Sequence, residues 1–133
     1  KREPHFRFIL DREFRRAQDN DTAFTLLLIE VLDQRGAAEE PSLEQLEEKV
    51  RKCLCRKGDI VLRRQRDNIL AAFCVADLKG AQVIRQRIEK EIKKHFSEGW
   101  GHLPVIKVAS ATYPEEATSK RDLFRMAREQ LRG

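Results

Sequence analysis

The chain has 133 residues and a formal net charge of +5 at pH 7, from 27 Lys and Arg against 22 Asp and Glu. This length suits one domain that buries about two-thirds of the surface its unfolded chain exposes. No apolar run approaches the roughly 20 residues of a membrane span, and the N-terminal KREPHF has no apolar signal region. We therefore expect a single soluble domain, 1–133, without direct membrane insertion.

The basic charge and the cysteines limit the partners. The positive charge is compatible with an anionic partner, although mixed charges on helices are also ordinary solvated surface. Cys53, Cys55 and Cys74 are an odd number without disulfide or zinc spacing, which suits a reducing cytoplasm. We expect no metal site.

The first two elements differ in the period of their apolar residues. Helical spacing predicts a helix over 6–17 that ends near residue 20. Its apolar positions are Phe6, Ile9 or Leu10, Phe14 and Ala17. The nearly continuous apolar run AFTLLLIEVL, 23–32, is typical of a strand that is buried on both faces.

A helix and a hairpin are predicted in the middle of the chain. GAAEEP breaks the chain, and Ser42 with Gln45 forms a capping-box pattern for the helix LEQLEEKVRKCL. Strands are predicted over 60–64 and 69–75, with a tight turn at 65–68.

The last third of the chain reads helix, loop, strand and helix. Asp77 is expected to cap a helix from residue 78 to about 95, and a loop should follow at SEGWGHLP. The strand VIKVASATY comes next, and Ser119 is expected to cap the last helix, KRDLFRMAREQL. The order α-β-α-β-β-α-β-α predicts an α+β, ferredoxin-like domain. Its central sheet is mostly antiparallel and is flanked by helices on one or both faces.

The hairpin and the residues before it resemble a known family. Arg56-Lys57-Gly58-Asp59 is followed by IVLRR and then by Gln65-Arg66-Asp67-Asn68-Ile69. This resembles the GGDEF family of diguanylate cyclases, in which an Arg-x-x-Asp inhibitory-site motif lies five residues before the hairpin Gly-Gly-Asp/Glu-Glu-Phe. The resemblance covers nearly the whole chain, from REFRRA to ATYPEEATSKRDLFRMA, and implies the family's nucleotide-cyclase palm.

The resemblance implies a binding site for cyclic di-GMP at Arg56, Gly58, Asp59 and Arg87. Arg87 falls where the family has a second arginine, on the helix after the hairpin. The residue types suit this ligand, because a carboxylate accepts from guanine N1–H and N2–H₂ and a guanidinium can bind O6 and N7, stack on the purine or bind phosphate. Gly58 would let the backbone approach a flat ligand. Gly58-Asp59 is also ordinary turn chemistry, with the arginines then being surface groups.

The family's catalytic parts are largely missing. Two-metal nucleotidyl transfer needs carboxylates that hold Mg²⁺ and a backbone that can approach a triphosphate. Long side chains stand where the resemblance places the paired glycines, and the Ser-Ile-Gly of the closing strand reads Lys107-Val108-Ala109. The family's Phe-Lys-x-x-Asn-Asp stretch has no counterpart in LDQRGAAEEP. The degenerate active-site positions are Glu30, Gln65, Arg66, Asp67, Asn68 and Ile69.

The sequence therefore predicts a receptor rather than an enzyme. We expect a catalytically inactive, cytoplasmic GGDEF-like domain, excised from a longer multidomain protein whose other parts could tether it to the inner membrane. We expect no cofactor, binding of cyclic di-GMP with a second protomer or neighbouring domain closing the site, and relay of the signal to an unidentified partner or attached domain. Control of exopolysaccharide secretion or motility is the output that the resemblance implies. The alternative is a ligand-free scaffold for dimerisation or protein docking. Nucleic-acid polymer is not expected as a partner, since the basic helical faces lack interleaved aromatic residues. The sequence leaves open whether Glu30 and Asp67 retain a metal.

Overall fold

Helices and strands follow one another in the predicted order in the computed structural model, which describes residues 2–33, 36–37, 40–54, 59–64, 69–99 and 105–132. The elements are α1 Arg2–Asn20, β1 Phe24–Asp33, β2 Gly36–Ala37, α2 Glu40–Cys53, β3 Ile60–Arg64, β4 Ile69–Cys74, α3 Leu78–Gly99, β5 Val105–Tyr113 and α4 Lys120–Arg132. Within these ranges, no helix has the length and apolarity that a bilayer crossing requires.

Neighbouring strands of the sheet are antiparallel. β1 pairs with β4 and with β5 through the same residues, so the two partners lie on opposite sides of it. β3 pairs with β4, and β2 lies beside the end of β1. The main order is therefore β3-β4-β1-β5. This arrangement confirms the predicted α+β fold with a mostly antiparallel central sheet.

The two faces of the sheet carry separate cores, because alternate residues of a strand point to opposite faces. Phe24, Leu26 and Leu28 of β1 belong to a buried cluster with α1 and α4. Leu27 and Ile29 belong to a second cluster, with α2 and α3. Helices cover both faces, which is why β1 is apolar along nearly its whole length.

Side chains cover part of the outer edge of β5. Gln130 of α4 donates from Nε2 to the Ser110 carbonyl at 2.8 Å and accepts the Ser110 N–H with Oε1 at 3.0 Å. The Thr112 N–H donates to Glu116 Oε1 at 3.0 Å. These bonds occupy main-chain groups that an edge strand would otherwise offer to another strand.

Both predicted single-residue caps are observed. The Gly80 N–H donates to Asp77 Oδ1 at 2.8 Å, and the Asp122 N–H donates to Ser119 Oγ at 3.1 Å. The capping box at Ser42 is wrong, because α2 begins at Glu40 and Ser42 lies inside its first turn. Proline is tolerated in a first helical turn, so the helix can start ahead of the serine.

Two other boundaries and one additional strand differ from the prediction. α3 extends to Gly99 instead of ending near residue 95, because buried Phe96 continues its apolar face by one more turn. The start of the predicted SEGWGHLP loop is therefore helical. β4 ends at Cys74, and the short strand β2 lies within the predicted break after β1. A strand of 2 residues is too short to show a period in the sequence.

Candidate functional site

An open cavity of about 540 Å³ lies where the α1–β1 turn, the end of β4 and the first turns of α3 meet. Its volume is within the range of about 300–1,000 Å³ that is usual for ligand sites. Its lining includes the side chains of Thr22, Asp59, Val75, Asp77, Val83 and Arg87. The cavity therefore combines charged groups with exposed apolar ones.

Asp59 and Arg87 reach this cavity from different elements. Asp59 immediately precedes β3, and its Oδ1 accepts the Val75 N–H at 3.3 Å. The pairing of Ile60 with Phe73 sets this position, because it brings the residue before β3 beside the end of β4. Arg87 is exposed on α3 and lines the same cavity. The other two predicted site residues, Arg56 and Gly58, lie outside the described residues.

The N-terminus of α3, beside the cavity, is capped by two carboxylates. Asp77 accepts the Gly80 N–H, and Glu115 Oε1 accepts the Leu78 N–H at 3.0 Å. Acidic groups are stabilising at this end of a helix, where the helix dipole is positive. These main-chain donors are therefore already engaged. The charged side chains among the described lining residues are the carboxylates of Asp59 and Asp77 and the guanidinium of Arg87.

Two valines at the cavity were missed by the sequence analysis. Val75 is 38% exposed and Val83 is 45% exposed, and both line the cavity. A signal for Val83 was present, since it lies on α3 outside the apolar face formed by Ala81, Ile84 and Ile88. An apolar residue on the solvent side of an amphipathic helix indicates a possible contact surface.

Two of the six positions that the resemblance assigns to a degenerate active site, Glu30 and Ile69, are among the described residues, and both lie on the sheet. Glu30 is half-buried near the end of β1, and Ile69 is buried at the start of β4. Gln65, Arg66, Asp67 and Asn68 lie outside the described residues. A metal held by Glu30 and Asp67 would require these two side chains to lie close together, but Asp67 is outside the described residues.

A lysine is the cross-strand partner of Glu30. Glu30 of β1 is paired in register with Lys107 of β5, and directly opposed side chains of an antiparallel pair have Cβ atoms about 4.5–5.5 Å apart. The Lys107 Nζ donates to the Leu131 carbonyl at 2.8 Å, near the C-terminus of α4. A basic residue is thus the cross-strand neighbour of the glutamate that the resemblance assigns to a metal, although its ammonium group is bonded to the end of α4. Across the described part of the chain, no group of three or more His, Cys, Asp or Glu residues could hold a metal ion.

Comparison with solved structures identifies the fold. A diguanylate cyclase protein from Thermotoga maritima matches with a TM-score of 0.77 and 21% identity, over 96% of this chain and 92% of that one. The GGDEF domain of TpbB (YfiN) from Pseudomonas aeruginosa matches with a TM-score of 0.76 and 22% identity, over 97% and 80%. The FimX GGDEF domain of the same organism matches with a TM-score of 0.71 and 20% identity, over 98% of this chain and 88% of that one.

These likenesses show that the chain has the GGDEF nucleotide-cyclase fold. No protein-family model matches the sequence. No curated protein matches it either. At such low identities the structural matches define the architecture alone, so the function has to be argued from the residues of the site.

Proposed function

We propose that this chain is a catalytically inactive GGDEF-fold domain that binds cyclic di-GMP through Arg56, Asp59 and Arg87 and relays the binding to a partner. The observation that carries the proposal is that Asp59 and Arg87, 28 positions apart in the sequence, line one open cavity. The sequence alone indicates both residues, Asp59 through the Arg-x-x-Asp pattern and Arg87 through its place on the helix after the hairpin. A ligand site requires its side chains to converge in this way. A surface arginine and a turn aspartate without a shared ligand would have no reason to line the same cavity.

The chemistry of the cavity supports a guanine-containing ligand. Asp59 offers carboxylate oxygens to the N1–H and N2–H₂ edge, a pair of donors that is specific to guanine among the bases. Arg87 can bind O6 and N7, phosphate, or the purine face. The proposal places Arg56, directly before Lys57 and Gly58, as the second guanidinium of the site.

The proposed lack of cyclase activity rests on other residues. Phosphoryl transfer depends on positioning and on metal ions that neutralise charge. Lys107 opposes Glu30 in the strand register, so a basic residue stands where the resemblance places the Ser-Ile-Gly stretch, across from the carboxylate that a metal would need. The hairpin has Gln65 and Arg66 in place of the glycines that make room for substrate.

The second candidate function is docking of a partner protein onto this domain. One structural neighbour is the diguanylate cyclase SiaD of Pseudomonas aeruginosa in complex with its activator SiaC, with a TM-score of 0.60 over 92% of this chain and 50% of that one. The exposed valines at the cavity are the feature of this chain that favours docking. In this alternative the chain is a ligand-free scaffold.

Calorimetric titration with cyclic di-GMP separates the two candidates. The unaltered chain is expected to bind, and Arg56→Ala, Asp59→Asn and Arg87→Ala should each weaken binding by about tenfold or more, the effect of losing a charge-assisted hydrogen bond. Asp59→Asn keeps the side-chain size, so it tests the charge and not the packing. Lys90→Ala, an exposed position of α3 outside the cavity, is the matched control and should bind normally.

Several results would contradict the proposal. Absence of heat at high ligand concentration would leave the scaffold as the better function. Equal binding of cyclic di-AMP would contradict guanine recognition through Asp59. Product formed from GTP and Mg²⁺ would contradict the inactivity. Size-exclusion chromatography with and without ligand tests whether a second protomer closes the site.

A further inference from the structure

The valines at the cavity are unusual for this chain. Among the described residues, the large hydrophobic side chains that are exposed are Phe8, Val75, Val83 and Val105. Two of these four line the one cavity that also contains Asp59 and Arg87. Exposed apolar groups that cluster at a polar-rimmed cavity mark a contact surface, whereas single ones are ordinary.

Each valine is held next to one of the charged groups. The Val75 N–H donates to Asp59 Oδ1, which keeps the valine and the carboxylate adjacent. Val83 precedes Arg87 by four residues on α3, and residues at this spacing are neighbours on one helix face. Both valines therefore line the same cavity as the carboxylate and the guanidinium rather than a separate patch.

We propose that Val75 and Val83 form an apolar platform that contacts the flat face of the purine ring. This inference rests on the proposed function and adds a shape requirement to it. Burial of isopropyl groups against ribose or phosphate would gain little, because those surfaces are hydrated. Burial against an aromatic heterocycle removes apolar area on both sides from water. Asp59 would then read the edge of the base and Val83 its face.

The test is a titration of Val83→Thr with cyclic di-GMP. Threonine has nearly the shape of valine but places a hydroxyl group against the base, so binding should weaken by about tenfold. Val83→Leu keeps an apolar surface and should bind within about twofold. Gln82→Thr introduces the same residue at an exposed neighbouring position of α3 outside the cavity and should bind as the unaltered chain does.

The heat capacity change of binding provides a second measurement. Loss of apolar burial makes this change less negative, so Val83→Thr should reduce its magnitude while Gln82→Thr does not. Circular dichroism melts confirm that the variants are folded, which is expected since Val83 is exposed. Normal affinity and heat capacity in Val83→Thr, with binding by the unaltered chain, would overturn the platform alone. No binding by the unaltered chain overturns the proposed function and the platform together.

Discussion

Thr25 and Thr112 join their hydroxyl groups in a buried hydrogen bond of 2.9 Å across β1 and β5. Thr25 Oγ1 also lies 2.9 Å from the Ala76 carbonyl, and a carbonyl can only accept. The single proton of Thr25 therefore goes to Ala76, and Thr112 donates to Thr25. This chain of bonds connects the edge strand, the central strand and the wall of the cavity.

The direction of these bonds predicts unequal effects of two similar substitutions. Thr112→Val removes one donor and should lower the free energy of unfolding by about 1 kcal/mol. Thr25→Val leaves both the Thr112 hydroxyl and the Ala76 carbonyl without this partner and should cost about 2–3 kcal/mol. Urea unfolding measures both. Thr118→Val, at an exposed position, is the control, and equal losses for Thr25 and Thr112 would contradict the assignment of donors.

Removal of the Gln130 side chain should uncover the edge of β5. In Gln130→Ala, the N–H and carbonyl of Ser110 lose the bonds that now occupy them and become available to another strand. We expect self-association that increases with protein concentration, detected by light scattering. Glu129→Ala changes the adjacent exposed residue, which makes no hydrogen bond to Ser110, and is the control. Its self-association should equal that of the unaltered chain. A monodisperse Gln130→Ala at high concentration would show that the cap is dispensable.

Arg64 illustrates a different contribution, a buried cation between aromatic rings. Its side chain is 4% exposed, and its guanidinium carbon lies 4.7 Å from the ring centroid of Phe6 and 5.1 Å from that of Phe124. Because lysine cannot stack its charge in this way, Arg64→Lys should lower the free energy of unfolding by about 1–2 kcal/mol. Arg7→Lys, at an exposed position of α1, is the control for the loss of a guanidinium. It should have a smaller effect, and an equal loss of stability would exclude burial between the rings as the cause.

The carboxyl of Asp122 should make stability depend on pH. Arg125 donates a 3.0 Å hydrogen bond to it, and this bond, with a further contribution from Ser119, lowers the pKa of Asp122 below its ordinary 3.8. A pKa that is lower in the folded state stabilises the fold above the ordinary value, and this stabilisation is lost as the pH falls through the folded value. Asp122→Asn should therefore be less stable than the unaltered chain at neutral pH, and the difference should disappear at pH well below 3.8.

Urea unfolding at a series of pH values from neutral to acid measures this difference. The effect should be small and should decrease in high salt, since both side chains are exposed. Asp19→Asn, at an exposed position of α1, is the control for loss of a carboxylate. A difference between Asp122→Asn and the unaltered chain that persists at acid pH would indicate a contact that does not depend on charge.

The spacing of apolar residues predicted most of the fold, because burial of one or both faces of a helix or strand imposes that spacing. The apolar run of β1 follows from helix layers on both faces, and the apolar face of α3 gave its position. The start of α2 was harder, since Pro41 and Ser42 are both favourable near a helix N-terminus. The candidate site could be predicted from the sequence only in part. Asp59 and Arg87 were selected by resemblance, but the roles proposed for Val75 and Val83 depend on how α3 packs against the end of β4, which no local pattern encodes.

The acids at the start of α3 limit how an anion can approach this end of the cavity. Strand-to-helix junctions that hold phosphate use the main-chain N–H groups of the helix N-terminus. In this chain Asp77 and Glu115 have taken such groups at Gly80 and Leu78, so an incoming anion meets negative charge there. If the proposed function holds, a nucleotide should therefore enter heterocycle first, with its charged backbone outward beside Arg87, the reverse of the polarity seen when a helix N-terminus holds the phosphate.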